Sequence, residues 1–144
     1  MEILFLGTSA AVPSKEHSTS CIAVRSGSDI ILLDCGEGSQ RQLMLSPFSF
    51  MKIRAVLITH LHGDHVFGLP GLIQTMSLSN RTEPLLVCGP PGTSHALDAM
   101  MSVTEGEATY DVEVVEVSGG EVLDVKGMAV RPYATDHGIA SVGY

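Results

Sequence analysis

Ala55-Val56-Leu57-Ile58-Thr59-His60-Leu61-His62-Gly63-Asp64-His65 decides the fold of this 144-residue chain. It opens with a continuous apolar run, the mark of a strand buried on both faces. Three histidines and an aspartate then fall within six residues. In an extended segment, side chains two apart point the same way, so His60 and His62 can reach one metal ion together. Gly63 turns the chain, and Asp64 and His65 can then face a second position nearby. Imidazole and carboxylate donors at this spacing suit Zn²⁺, and Mn²⁺ or Fe²⁺ less specifically. Two adjacent ions can turn a bridging water into a nucleophile at neutral pH and neutralise charge on a phosphodiester. A helix after the motif is expected to aim its positive end at the site.

The flanking sequence supplies strands and helices in alternation. Residues 3–6 read as a strand, and residues 21–25 and 30–33 as a hairpin turning at Gly27. Ser39 is placed to cap a helix running to residue 45, with Pro47 as its stop. After the motif come a helix over residues 69–79, a strand over 85–87 and a helix over 93–102. Gly89-Pro90-Pro91-Gly92 is most simply a rigid turn. From Tyr110 onward, spaced valines and Gly127 predict antiparallel strands. This order of elements predicts an α/β sandwich in a single domain over residues 1–144.

Two imidazoles do not complete a tetrahedral site, so His137, in the loop Ala134-Thr135-Asp136-His137-Gly138, is the next candidate ligand. Asp136 reads as a neighbouring carboxylate. Asp64 has two jobs open to it, metal ligand and proton shuttle. Asp34, at a strand end, is either a turn residue or the hydrogen-bond partner that fixes a ligating imidazole. Lys15 and His17 lie in a polar loop, where substrate contact is one reading and a solvated loop the other. His95 reads as a solvated helix face, and Met76, Met100 and Met101 as core.

Sixteen acidic against eight basic residues give a formal charge of −8, which argues against a broad nucleic-acid-binding face. It leaves room for a local basic patch. The acids concentrate between residues 105 and 124, while Lys15, Arg25, Arg41, Lys52 and Arg54 precede them. The three cysteines, Cys21, Cys35 and Cys88, stand far apart in apolar runs and read as buried thiols of a reducing compartment. Residues 1–6 lack the basic stretch of a signal peptide. No apolar run reaches the ~18 residues of a membrane span. The expectation is a cytoplasmic protein with no membrane contact.

Several stretches go beyond a generic metal motif. They are Phe5-Leu6-Gly7-Thr8-Ser9-Ala10-Ala11-Val12-Pro13, Leu33-Asp34-Cys35-Gly36-Glu37-Gly38-Ser39-Gln40-Arg41-Gln42-Leu43, the run from Ile58 to Leu72, Gly89-Pro90-Pro91-Gly92, and His137-Gly138 with Val142-Gly143-Tyr144. In these the chain resembles ribonuclease Z, the metallo-β-lactamase-type endoribonuclease that trims the 3′ trailer of precursor tRNA. The likeness runs in order through nearly the whole chain. It implies an αβ/βα sandwich and two zinc ions, one on His60, His62 and His137 and the other on Asp64 and His65. It further implies Asp64 as general base, hydroxide attack after the discriminator nucleotide, a 3′-hydroxyl product and a homodimer that clamps tRNA with one subunit and cuts it with the other.

Two departures accompany the resemblance. The family's Pro-x-Lys-x-Arg-Asn loop appears as Pro13-Ser14-Lys15-Glu16-His17-Ser18, with Lys15 kept and His17 and Ser18 in place of Arg and Asn. Family members are also about double this length, so the likeness covers their N-terminal half. The remaining half would carry a bridging aspartate, a last histidine ligand, a histidine for the leaving group and a tRNA-gripping arm. The expectations are therefore one bound ion or none in this chain, an exposed apolar sheet face, and either inactivity alone or stabilisation by pairing with another copy. Two other readings stand beside this one: a metallo-β-lactamase-fold phosphodiesterase for a small substrate, and a non-catalytic fragment that acts in dimerisation.

Overall fold

The computed structural model describes residues 1–103 and 107–144; Glu105, where the acidic stretch begins, lies outside them. Six strands form the main sheet in sequence order: β1 (Glu2–Gly7), β2 (Cys21–Ser26), β3 (Asp29–Leu33), β4 (Ile53–Leu57), β5 (Leu85–Gly89) and β6 (Val112–Glu116). The first three pair antiparallel, and β3 to β6 run parallel. Gly27 supplies the positive φ, 60°, of the β2–β3 turn.

The helices α1 (Ser39–Leu45), α2 (Gly63–Val66), α3 (Leu69–Leu78) and α4 (Thr93–Ser102) complete the elements among the main strands, with one 3-10 turn at Phe50–Lys52. Ser39 does not cap α1. Gly38 holds the cap position at φ 84°, and the Ser39 hydroxyl donates back to the Gly36 carbonyl at 2.7 Å. The last residues of the histidine motif already lie in the single-turn helix α2, and the longer helix α3 begins only at Leu69. The Gly68 N–H donates to the Cys35 carbonyl at 2.9 Å and resets the chain before α3 starts. Pro70 sits in the first turn of α3, where a missing N–H costs nothing.

One core lies between the sheet and the helices, with Leu32, Ile53, Val56, Ile58, Leu72, Ile73 and Met76 at its centre. Alternate residues of the same strands, Ile31, Ala55, Leu57 and Cys88, point to the opposite face. There they meet Val117, Val125, Val130 and Val142. The last three belong to two small antiparallel pairs, β7 (Leu123–Val125) with β8 (Met128–Val130), and β9 (Tyr133–Ala134) with β10 (Val142–Gly143). Strand β4 is thus buried on both faces, as its unbroken apolar run requires.

Two expectations change. Residues 112–116 do not join the antiparallel strands that follow, because α4 returns the chain so that β6 pairs parallel with β5, Leu85 opposite Val112 and Gly89 opposite Glu116. The valines and glutamates there belong to an edge strand, and Glu116 accepts the Gly92 and Ser94 N–H groups at the start of α4. The sheet face expected to lie bare is covered over β3 to β5 by the C-terminal strands. It stays open at β1, where Ile3 is 59% and Phe5 65% exposed.

Arg81 was not anticipated as core. It is 2% exposed, and its guanidinium donates to the carbonyls of Glu83 (2.6 Å), Pro84 (2.7 Å) and Ile53 (2.8 Å), with the Tyr110 ring stacked over it. It ties the end of α3 to the starts of β4 and β5. Cys21, Cys35 and Cys88 are all free and buried. Among the described residues, no helix is long and apolar enough to cross a membrane.

Candidate metal centre

The site stands at the C-terminal ends of β3 and β4. Asp34 leaves β3 in the left-handed region, φ 60°, a conformation that aspartate tolerates better than most side chains. Asp34 is 6% exposed, and both its carboxylate oxygens are engaged. One oxygen accepts the Thr59 N–H at 2.8 Å; the other lies 3.0 Å from the Thr59 hydroxyl and 2.6 Å from His65 Nδ1. The Cys35 N–H donates to the His65 carbonyl at 2.8 Å. Gly36 permits this approach, because a Cβ there would lie 2.2 Å from the Asp64 carbonyl oxygen.

Thr59, His60 and His62 extend from β4. The Thr59 hydroxyl also lies 2.9 Å from His60 Nδ1. His62 ends the extended segment, and α2 carries Asp64 and His65 around the corner. Asp64 Oδ2 accepts the Ala11 N–H at 2.7 Å and lies 3.3 Å from His65 Nε2. The glycine–threonine–serine loop, which holds Lys15 and His17, is therefore docked onto Asp64. Both side chains are exposed, and the loop closes on itself through the Ser14 N–H and the His17 carbonyl.

His137 arrives from the far end of the chain. The β9–β10 loop that bears it is closed by Thr135 and Ser141, whose hydroxyls lie 2.7 Å apart. The Val142 N–H donates to the Thr59 carbonyl at 2.9 Å, and Ser141 forms an antiparallel bridge with His60. The result is a convergence of three imidazoles. Donor atoms of His60, His62 and His137 all lie within 4.8 Å of one another. The His60 ring is 4.0 Å from that of His65, centre to centre, which puts both donor groups side by side.

Electrostatics prepare these groups. Burial, then the neighbouring imidazoles of His65 and His137, push His60 below its ordinary pKa and favour its neutral, ligating form. Partial burial raises the Asp64 carboxyl, but the Ala11 N–H and His65 more than offset it, so Asp64 lies below its usual range and stays ionised. Burial lowers His65, and its hydrogen bond and charge attraction to Asp34 outweigh that, leaving its pKa raised. Three converging imidazoles, one of them favoured neutral, fit a borderline-soft divalent ion. The second position has Asp64 and His65 beside it among the described residues.

The structure thus brings together His60, His62, His65, Asp64, Asp34 and His137. It leaves Lys15, His17 and Asp136 exposed at the rim, and His95 exposed on α4. Sequence reasoning missed Thr59, the Ala11 backbone and Tyr144. The only local signal was the hydroxyl directly preceding the first histidine. Tyr144 donates to the Ile58 carbonyl at 2.9 Å and so ties the chain beyond His137 to the end of β4.

A mixed sheet with helices on one face, and a histidine–aspartate cluster at its strand ends, defines the metallo-β-lactamase fold. The structure titled a metallo-beta-lactamase fold protein, YhfI from Bacillus subtilis, superposes with a TM-score of 0.77 at 18% identity, covering 97% of this chain and 54% of that one. The chain belongs to the family described as anti-Pycsar protein Apyc1, which matches residues 1–142. Curated relatives carry another name. The ribonuclease Z of Methanothermobacter thermautotrophicus is 43% identical over 144 residues, and that of Pyrococcus horikoshii 42%, each covering 100% of this chain and 47% of the relative. The crystal structure of human tRNase Z, short form, matches with a TM-score of 0.87 at 33% identity, covering 99% of this chain and 62% of that one. The resemblance to ribonuclease Z read from the residues is therefore shared across the whole chain. The chain spans about half the length of the curated relatives it matches.

Proposed function

We propose that this chain is the metal-binding half of a zinc-dependent endoribonuclease that removes the 3′ trailer from precursor tRNA in the cytoplasm. The observation that carries the reading is the pairing of two adjacent donor groups: His60, His62 and His137 converge within 4.8 Å, and Asp64 and His65 stand 3.3 Å apart beside them. The first group would hold one zinc, and the second group would contribute to another. When bound, zinc supplies an activated water and offsets charge on the phosphodiester.

The chain's own residues do the rest. Asp64, held ionised by the Ala11 N–H, accepts the proton of the attacking water through its carboxylate. Asp34 holds His65 by its Nδ1 and leaves Nε2 for ligation. On the loop docked to Asp64, Lys15 offers positive charge and His17 a hydrogen-bonding imidazole to the RNA backbone near the scissile bond. The product keeps a 3′-hydroxyl. Asp64 and His65 need further donors, so activity depends on the additional length found in the relatives or on a second copy, and the working form is a homodimer.

The test is cleavage of a 3′-labelled precursor tRNA by the zinc-loaded protein. Cleavage after the discriminator nucleotide, requiring the length found in the relatives and lost in Asp64→Ala, is expected. Efficient cleavage by the monomeric 144-residue chain would overturn the dependence on further donors. A second reading is favoured by one observation: the family matching residues 1–142 is described under a name other than ribonuclease Z. It makes the protein a phosphodiesterase for small cyclic or nucleotide substrates. Turnover of such a substrate far above that of precursor tRNA would select it.

A further inference from the structure

We infer that Thr59 is a positioning residue that fixes which nitrogen His60 offers to a metal, and that it does so through Asp34. The inference rests on the metal-binding reading of the site. Its basis is an unbroken set of contacts in a part-buried place, between the buried Asp34 and His60. The Thr59 hydroxyl lies 3.0 Å from Asp34 Oδ2 and 2.9 Å from His60 Nδ1, and His65 Nδ1 lies 2.6 Å from that same carboxylate oxygen.

The direction of each hydrogen bond follows from proton counting. An ionised carboxylate only accepts, and a hydroxyl has one proton to give. If Thr59 gave its proton to His60, its oxygen would face the Asp34 carboxylate at 3.0 Å with no hydrogen between them. That arrangement sets two lone pairs against each other beside a negative charge and forfeits a charge-assisted hydrogen bond. The proton therefore points to Asp34. The Thr59 oxygen then accepts from His60 Nδ1, which must carry a hydrogen, so Nε2 is left with its lone pair free. His65 donates to the same oxygen of Asp34 and likewise keeps Nε2 for the other position. One carboxylate thus orients both imidazoles, one directly and one through Thr59. The Thr59 N–H, donating to Asp34 Oδ1 at 2.8 Å, keeps the carboxylate and the hydroxyl in register. Thr59 touches neither metal nor substrate in this role.

The test begins with the metal-free wild type. Long-range ¹H–¹⁵N spectra of the imidazoles should show His60 as the Nδ1–H tautomer; a His60 proton found on Nε2 overturns the inference without any variant. Thr59→Val then keeps the shape and the backbone N–H but removes the hydroxyl. It should mix the His60 tautomers and weaken zinc binding about 10–100-fold, the usual loss for an outer hydrogen-bond partner, measured by competition with a chromophoric chelator. Thr59→Ser should restore both readouts. A valine variant that is folded by circular dichroism yet binds zinc as the wild type does, with an unchanged tautomer, overturns the inference. So does a folded serine variant that restores neither. Failure of the wild type to bind zinc would count against the metal-binding reading alone, and the tautomer spectra would still decide the role of Thr59.

Discussion

The Tyr144 hydroxyl donates to the carbonyl of Ile58 at 2.9 Å, across 86 positions of sequence. It also lies 3.2 Å from the Cys88 carbonyl. One phenol therefore fastens the segment after His137 to the C-terminal ends of both β4 and β5. Tyr144→Phe removes only that oxygen. The expected cost is about 1 kcal/mol of stability, read as a lower thermal midpoint. The zinc affinity of the His60–His62–His137 cluster should fall with it, because the loop of the third imidazole loses one of its ties to β4. His137→Ala should lose tight zinc binding outright, as measured by elemental analysis after dialysis.

Asp34→Asn is compatible with the backbone, since asparagine also tolerates φ 60° at this position. Its amide can still accept the Thr59 N–H, but it turns an NH₂ toward His65 Nδ1. His65 should switch to the Nε2–H tautomer, visible in the same imidazole spectra. Loss of a buried charge-assisted bond should cost about 1–3 kcal/mol in a denaturant melt. Asp34→Ala should cost more, because it leaves the Thr59 N–H unsatisfied as well.

Arg81 satisfies three backbone carbonyls from a position 2% exposed. Arg81→Met fills much of the space but leaves those carbonyls without a donor. A loss of about 3 kcal/mol or more is expected in urea unfolding. Arg81→Lys should recover little of it, since an ammonium cannot reach three carbonyls in the geometry of a planar guanidinium.

Alkaline pH should unfold the protein through buried acids. Burial pushes the Cys21 thiol from 9.0 up to about 12 and the Tyr110 phenol from 10.0 up to about 12, with Arg81 opposing the second shift. Both groups stay neutral in the folded chain and ionise more readily in the unfolded one. Their contribution is full below pH 9 and is lost as pH rises toward about 12. The slope is about 1.4 kcal/mol per pH unit for each group that titrates only when unfolded. Melting temperatures measured from pH 8 to 11 should fall with that curvature. Cys21→Ala should remove only part of the loss that begins near pH 9, because burial also raises the Cys35 and Cys88 thiols.

Local patterns carry far, because periodicity and turn residues act over a few positions. The strand before His60, the β2–β3 hairpin at Gly27, the helix after Leu69 and the grouping of His60, His62, Asp64 and His65 are legible for that reason. His137 is reached because two imidazoles leave a tetrahedral site incomplete and a loop histidine follows a strand, and the resemblance to ribonuclease Z agrees; no spacing rule attaches it to residues so far upstream. The parallel pairing of β6 was misread, since alternating valines look the same on an edge strand of either direction. The covering of Ala55 and Leu57 by Val125, Val130 and Val142 was unreadable, because small antiparallel pairs carry no mark of what they pack against.

The sequence by itself determined that an apolar strand delivers metal-donor side chains at its end, and that the chain shares its ordered motifs with ribonuclease Z. Only the tertiary structure decided how those side chains are held. Asp34 reaches Thr59 and His65, Ala11 reaches Asp64, and Tyr144 reaches Ile58. Each link is a directional hydrogen bond between residues that chain folding brings within 3 Å or less. Such bonds depend on orientation and packing, and neither leaves a periodic trace in the order of amino acids.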